Sequence, residues 1–321
     1  MTEDRKELGL ILEEPIQRNI SLANLAGIAS GGVFPVALGL TSDLVAPDKR
    51  QVAIGRTLAG SMAGNLLGAT ASGIIGDFIG WRGVLAVLGG LVIIVALAVA
   101  AGFRGAALNR PPRTSLKALR HGYRTIFTNP NARICYSAVF VEGCCVLGLF
   151  PFIASFLFEL GESSLSIAGI VIAGFAIGGL LYTLTVSRLL PWIGVRGMMV
   201  VGATLVGIQL VGVAFGPHWK LQMAGLLVMG LGFYMIHGCL QVFASELSVE
   251  ARATALSLHS FFFFMGQTVG PIAYGFGLQH AGKTATLVSA AAVMVVLGFI
   301  CARFLKQTRP ADAAARPDVE A

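Results

Sequence analysis

The sequence predicts an all-α membrane bundle, and three observations carry that prediction. Apolar residues make up 55% of the chain and charged residues 12%, against about 25% charged in an ordinary soluble domain. The apolar residues gather into blocks long enough to cross about 30 Å of hydrocarbon as helices, and these blocks lack the short alternation of an outer-membrane barrel. Backbone polar groups in lipid have to be bonded within their own segment, so each block is a helix.

Nine spans follow in order: 20–40, 52–76, 83–102, 132–158, 165–187, 197–216, 221–243, 253–278 and 284–304. Residues 1–19 form a polar lead-in. Spans 20–102 make a partial N-terminal bundle. The segment 103–131 is a basic cytoplasmic linker holding Pro111 and Pro112, with a short surface helix expected over 116–127. Residues 132–305 make a six-helix bundle, and 306–321 a tail. The linker breaks hydropathy with prolines and charge together, which is how a connection between two bundles reads.

Charge fixes the expected orientation. With the C-terminus cytoplasmic, six of the 23 Lys and Arg residues fall outside: Arg5, Lys6, Arg18, Arg82, Lys220 and Lys283. The remaining seventeen fall inside, which is the bias that sets topology. The net charge of +7 is thus explained by membrane orientation, and no nucleic-acid partner is expected. Nine spans then leave the polar N-terminus outside, an arrangement that three further helices in front would repair.

A repeat points the same way. SDLVAPDKRQVAIG begins at Ser42 and SELSVEARATALS at Ser245. An offset of 202 superimposes Arg50 on Arg252. The same offset places Gly64, Asn65, Gly68, Gly73 and Gly80 on Gly266, Gln267, Gly270, Gly275 and Gly282, and an offset of 203 aligns Asp43 with Glu246. The first three spans correspond to the last three, so the full design is two bundles of six helices.

These features resemble the major facilitator superfamily. GIASGGVFPVALGLTSDLV, from Gly27, followed by Arg50, is similar to the fourth helix of that family's drug- and sugar-efflux branch. GIIGDFIGWRG, from Gly73, is similar to its fifth helix, although the branch's usual Gly-Pro is Gly73-Ile74 here. SRLLPWIGVRG, from Ser187, resembles a worn copy of the family's short cytoplasmic motif. The resemblance implies a chain equivalent to helices four to twelve, lacking the first three. It also implies a transporter working by alternating access between bundles, with the fourth and seventh spans here lining the central cavity.

Several residues carry candidate chemistry. Glu142 lies near mid-membrane, where a charge costs about 2.5–3.5 kcal/mol. It therefore faces a cavity, is protonated, or pairs with a neighbouring helix, and it is the candidate for proton coupling. Tyr234, His237 and Gln241 share one helical face and are candidates for the substrate cavity, as are the repeat-related Asn65 and Gln267. Asp43 with Arg50, and Glu246 with Arg252, are expected as ion pairs that gate the cytoplasmic helix ends. Gly60, Gly64 and Gly68, with Gly266 and Gly270, have the spacing of close helix packing, and Pro271 is expected to kink its helix. The cysteines Cys135, Cys144, Cys145, Cys239 and Cys301 fall inside apolar blocks and read as packing residues. His121, His218, His259 and His280 are scattered and suggest no metal site. No HExxH, CxxC or GxSxG occurs, and neither an enzyme nor a cofactor is expected.

The expected function is secondary active transport of a small solute, as efflux by antiport with protons, by a monomer spanning the inner membrane many times with its C-terminus cytoplasmic. The alternative is a truncated, non-transporting fragment of such a transporter.

Overall fold

The computed structural model describes residues 47–102, 104, 116–162, 164–216, 218–248 and 251–305. Eight α-helices account for nearly all of them: α1 Pro47–Gly102, α2 Leu116–Thr128, α3 Pro130–Val146, α4 Phe150–Glu159, α5 Leu165–Phe215, α6 Trp219–Glu246, α7 Arg252–His280 and α8 Gly282–Phe304. A 3₁₀ turn, Leu147–Leu149, joins α3 to α4. The span expected at 20–40 lies outside the described residues.

Helices α1 and α5 are far longer than a membrane is thick, at 56 and 51 residues. Straight, each would reach roughly 75–85 Å at 1.5 Å per residue. One glycine breaks each of them, Gly80 at φ 68, ψ 175 and Gly194 at φ 66, ψ 170. That region of backbone space is essentially open to glycine alone. Both glycines sit in the same five-residue pattern, Ile-Gly-Xaa-Arg-Gly, at 79–83 and 193–197. Beside the break in α1 the two arms touch, since a Cβ at Gly76 would meet Val84 Cγ2 at 3.8 Å.

The breaks fall in the gaps between expected spans: 52–76 and 83–102 are the arms of α1, and 165–187 and 197–216 the arms of α5. Among the described residues, five helices are long and apolar enough to cross a membrane. Helix α7 is not one of them. Its Ser, Thr, His, Gln and Gly residues dilute its hydropathy, which marks a helix facing protein or water along one side.

Local chemistry sets the helix ends. Asn129 caps α3 by accepting from the Asn131 N–H at 3.0 Å, with Pro130 in the first turn where no amide hydrogen is needed. The Asn129 Nδ2 also donates to the Leu247 carbonyl at 3.1 Å, tying the start of α3 to the end of α6. The surface helix expected over 116–127 forms as α2. Its Ile126 is buried against Ala132, Tyr136, Leu247 and Ala255 while Arg120 and Arg124 point outward.

The core lies among α3 to α8, with Val139, Leu149, Met199, Val206, Leu226, Ile236 and Met294 fully buried. Helices α3 and α7 cross in backbone contact. A Cβ on Gly266 would lie 2.1 Å from the Phe140 carbonyl oxygen, and one on Gly270 2.5 Å from that of Cys144. Helix α7 runs on through Pro271, while the helical break falls opposite it, at Leu147–Leu149. Beside that break, Tyr274 donates its hydroxyl to the Cys145 carbonyl at 2.7 Å.

Helix α1 meets α5 near the Gly80 break. The Asp77 carboxylate accepts from the N–H groups of Leu165 and Ser166 at 2.7 and 2.9 Å, from the Ser164 hydroxyl at 2.8 Å, and from the Ser166 hydroxyl. An anion at a helix N-terminus satisfies amides that have no partner within the helix. Beyond the break, every large apolar side chain from Leu85 to Val99 is at least 40% exposed, as suits a helix apolar all round.

Candidate functional site

Glu142 is 0% exposed on α3, in a helix that otherwise buries small and aliphatic side chains. A lone carboxyl there would lack every interaction it has in water. The structure gives it one partner. His237, on α6, places Nδ1 2.9 Å from Glu142 Oε2. The other carboxyl oxygen, Oε1, has no hydrogen-bond partner among the described residues. The two residues are 95 apart in sequence and meet because α3 and α6 pack together. Both were candidates from sequence, but as separate ones, a proton site and a cavity contact.

Rings surround the pair. His237 stacks on Phe233 at 4.9 Å between centroids and touches Phe263 at 4.8 Å. Tyr234, one turn before His237, stacks on Tyr182 at 6.4 Å and contacts Phe175 at 6.0 Å. The His237 side chain keeps 17% of its surface open, whereas Glu142 has none. The carboxyl is therefore reached through the imidazole.

A third titratable residue completes the cluster. His259, on α7, is 2% exposed and holds its ring 5.0 Å from that of His237. Its Nε2 has no hydrogen-bond partner. The sequence reading set it aside among scattered histidines. The rule that singled out Glu142, an ionisable residue deep in a membrane helix, applies to His259 equally.

The other candidates are placed differently. Gln241 and Gln267 are exposed and stand apart from the cluster. Asp43 and the side chains of Arg50 and Asn65 lie outside the described residues, as does the packing of Gly60. The expected pairing of Glu246 with Arg252 is not among the ion pairs of the described residues. Arg252 instead donates Nε to the Ser245 carbonyl at 3.2 Å. A Cβ at Gly64 or Gly68 would touch nothing within 4 Å. Among the described residues, no three His, Cys, Asp or Glu side chains are arranged to hold a metal ion.

The fold is an all-α bundle of membrane-length helices with an acid and a histidine paired between two of them, and comparison with known proteins gives the family. The model of the Major Facilitator Superfamily matches residues 20–250 and again 163–321, and the chain belongs to that superfamily. It is 24% identical over 295 residues to "Uncharacterized MFS-type transporter YceJ" of Bacillus subtilis (strain 168), covering 91% of this chain and 74% of that protein. It is 24% identical over 283 residues to "Probable sugar efflux transporter" of Pasteurella multocida (strain Pm70), covering 86% and 68%. Its fold is similar to the crystal structure of a bacterial homolog to the human lysosomal transporter Spinster, in an inward-facing and unoccupied conformation. There the TM-score is 0.60 with 19% identity, over 85% of this chain and 73% of that one.

Proposed function

We propose that this chain is a secondary active transporter that exports a small solute in exchange for protons, with Glu142 and His237 as the proton site. The observation that carries the reading is the pair itself, a fully buried carboxyl whose one hydrogen-bond partner is an imidazole open on one side. With one proton shared between Oε2 and Nδ1 the pair is neutral as a whole, and that proton is the exchangeable one. A membrane interior tolerates a neutral pair and penalises a lone charge. Gaining or losing that proton therefore changes the relative stability of conformations that wet or occlude the site. A ligand shifts such an equilibrium only through its differential affinity for the two states.

The export direction draws support from the name of the Pasteurella relative. The repeat at an offset of 202 supports a two-times-six design of which these are the fourth to twelfth helices. The charge bias supports a cytoplasmic C-terminus, and we place the chain in the inner membrane as a monomer. Tyr234, one turn from His237, with Gln241, Asn65 and Gln267, are the groups we assign to the substrate. The test is export of a panel of sugars and lipophilic cations from loaded proteoliposomes as a function of pH, wild type beside Glu142→Gln. Loss of the pH dependence in a folded Glu142→Gln protein is expected. A folded mutant that keeps the full pH dependence overturns the proton site.

A further inference from the structure

Three titratable side chains step inward from one end of the bundle. The start of α3, the end of α6 and the start of α7 lie together. Asn129 bonds the Leu247 carbonyl, and Tyr136 donates to the Ala255 carbonyl at 3.1 Å. Counting at 1.5 Å per residue, His259 lies roughly 10 Å along α7 from Arg252. His237 lies roughly 13 Å along α6 from Glu246, and Glu142 roughly 18 Å along α3 from Pro130. The order of depth is His259, then His237, then Glu142. Phe263 lies one turn deeper than His259, and Phe233 one turn deeper than His237. Both rings pack against His237.

We infer that His259 is a proton relay, the residue through which the Glu142–His237 pair exchanges its proton with the end of the bundle where α6 joins α7. This rests on the proton-site reading above, and the charge bias makes that end cytoplasmic. Two buried polar atoms of the cluster have no hydrogen-bond partner among the described residues, Glu142 Oε1 within the pair and Nε2 of the neighbouring His259. An imidazole with a free nitrogen beside another imidazole is what a relay requires. As the carboxyl proton passes from Glu142 Oε2 to His237 Nδ1, the proton on His237 Nε2 leaves for a nitrogen of His259. The opposite nitrogen of His259 then releases its own. Each imidazole ends neutral, and one proton has moved. The 5.0 Å ring separation exceeds a hydrogen bond, so the middle transfer uses a bridging water or a ring rotation.

The neighbouring groups leave this route distinct. On the helices packed against α7, His237 is the titratable group in ring contact with His259. The thiols Cys135 and Cys145 on α3, Cys239 on α6 and Cys301 on α8, with the phenol of Tyr234, lie within electrostatic reach of Glu142. Tyr136 is engaged with the Ala255 carbonyl. The competing path is direct exchange across the open edge of His237.

Infrared difference spectroscopy after a pH jump separates the two. The full chain, reconstituted in liposomes, is followed at the carboxylic C=O stretch that disappears in Glu142→Gln. In His259→Asn we expect the same amplitude for that band and a response at least tenfold slower, with imidazole in the buffer restoring the rate. His259→Gln serves as the second variant should Asn fold poorly, with folding checked by size exclusion. A wild-type rate in either folded variant overturns the relay in favour of the open edge. A changed amplitude that imidazole does not restore overturns it in favour of a packing role. If the wild type shows no titrating band that Glu142→Gln removes, the failure belongs to the proton-site reading instead.

Discussion

Replacing His237 by Ala tests whether its contact with Glu142 is an ordinary link between helices or a charge pair. The bond is single: Oε2 meets Nδ1 at 2.9 Å, Oε1 meets nothing, and the carboxyl is fully buried. Removing the imidazole therefore leaves the acid with no partner at all. Interhelical hydrogen bonds in a membrane average about 0.6 kcal/mol, because the unfolded state also finds partners. Stranding a buried ion costs about 3–5 kcal/mol. We expect His237→Ala to cost at least about 2 kcal/mol, between those values, because the site can shed part of its charge by protonation. Glu142→Gln in the same protein should recover most of that loss, since an amide carries no charge to strand. The assay is a double-mutant cycle on Glu142→Gln and His237→Ala by denaturant unfolding in mixed micelles. A coupling of about 0.6 kcal/mol or less would refute the reasoning, because the pair would then be one interhelical hydrogen bond among many.

Three further outcomes are expected. Gly266→Ala should destabilise by about 1–3 kcal/mol, because its Cβ would fall 2.1 Å from the Phe140 carbonyl oxygen. Gly89→Ala, where nothing lies within 4 Å, should be neutral or stabilising by up to about 1 kcal/mol; thermal unfolding of the two side by side checks the contrast. Gly194→Ala should cost about 1–3 kcal/mol through its positive φ, although a Cβ there meets open space. Asp77→Ala should loosen the junction of α1 with α5, read as several-fold faster maleimide labelling of Ser166→Cys in a cysteine-free background.

Much of the architecture was legible because lipid leaves a helix few alternatives. Block length gave the segments, and the basic, proline-rich stretch gave the divide before α2. The breaks showed as gaps between spans at 77–82 and 188–196, but the residue that makes each turn did not: Gly80 and Gly194 are two glycines among 41, distinguished by backbone conformation. Site chemistry was legible residue by residue and opaque in combination. Glu142 and His237 each stood out as polar groups in apolar helices, yet nothing local says that α3 and α6 bring them to 2.9 Å. His259 escaped notice because isolated histidines were judged by metal-ligand spacing, whereas its meaning comes from a neighbour 22 residues earlier in the chain. The expected bond between Glu246 and Arg252 failed for the opposite reason. Nearness in sequence suggested a pair, and the turn directs Arg252 to a backbone carbonyl instead.

The two Ile-Gly-Xaa-Arg-Gly breaks have a mechanical consequence. In each, the helix turns through one glycine with no intervening loop, so the arms on either side share a joint with almost no slack. Such a joint transmits torque. Pushing one arm of α5 drags the other, and the same holds for α1. In the orientation proposed above, the Gly80 joint lies at the outer face and the Gly194 joint at the inner one, so the same five letters would serve as stiff couplings on opposite sides of the bilayer. Rocking of one half against the other must then be borne by contacts that can part and reform, and the Asp77 clasp on the start of α5 is one that a single side chain holds shut.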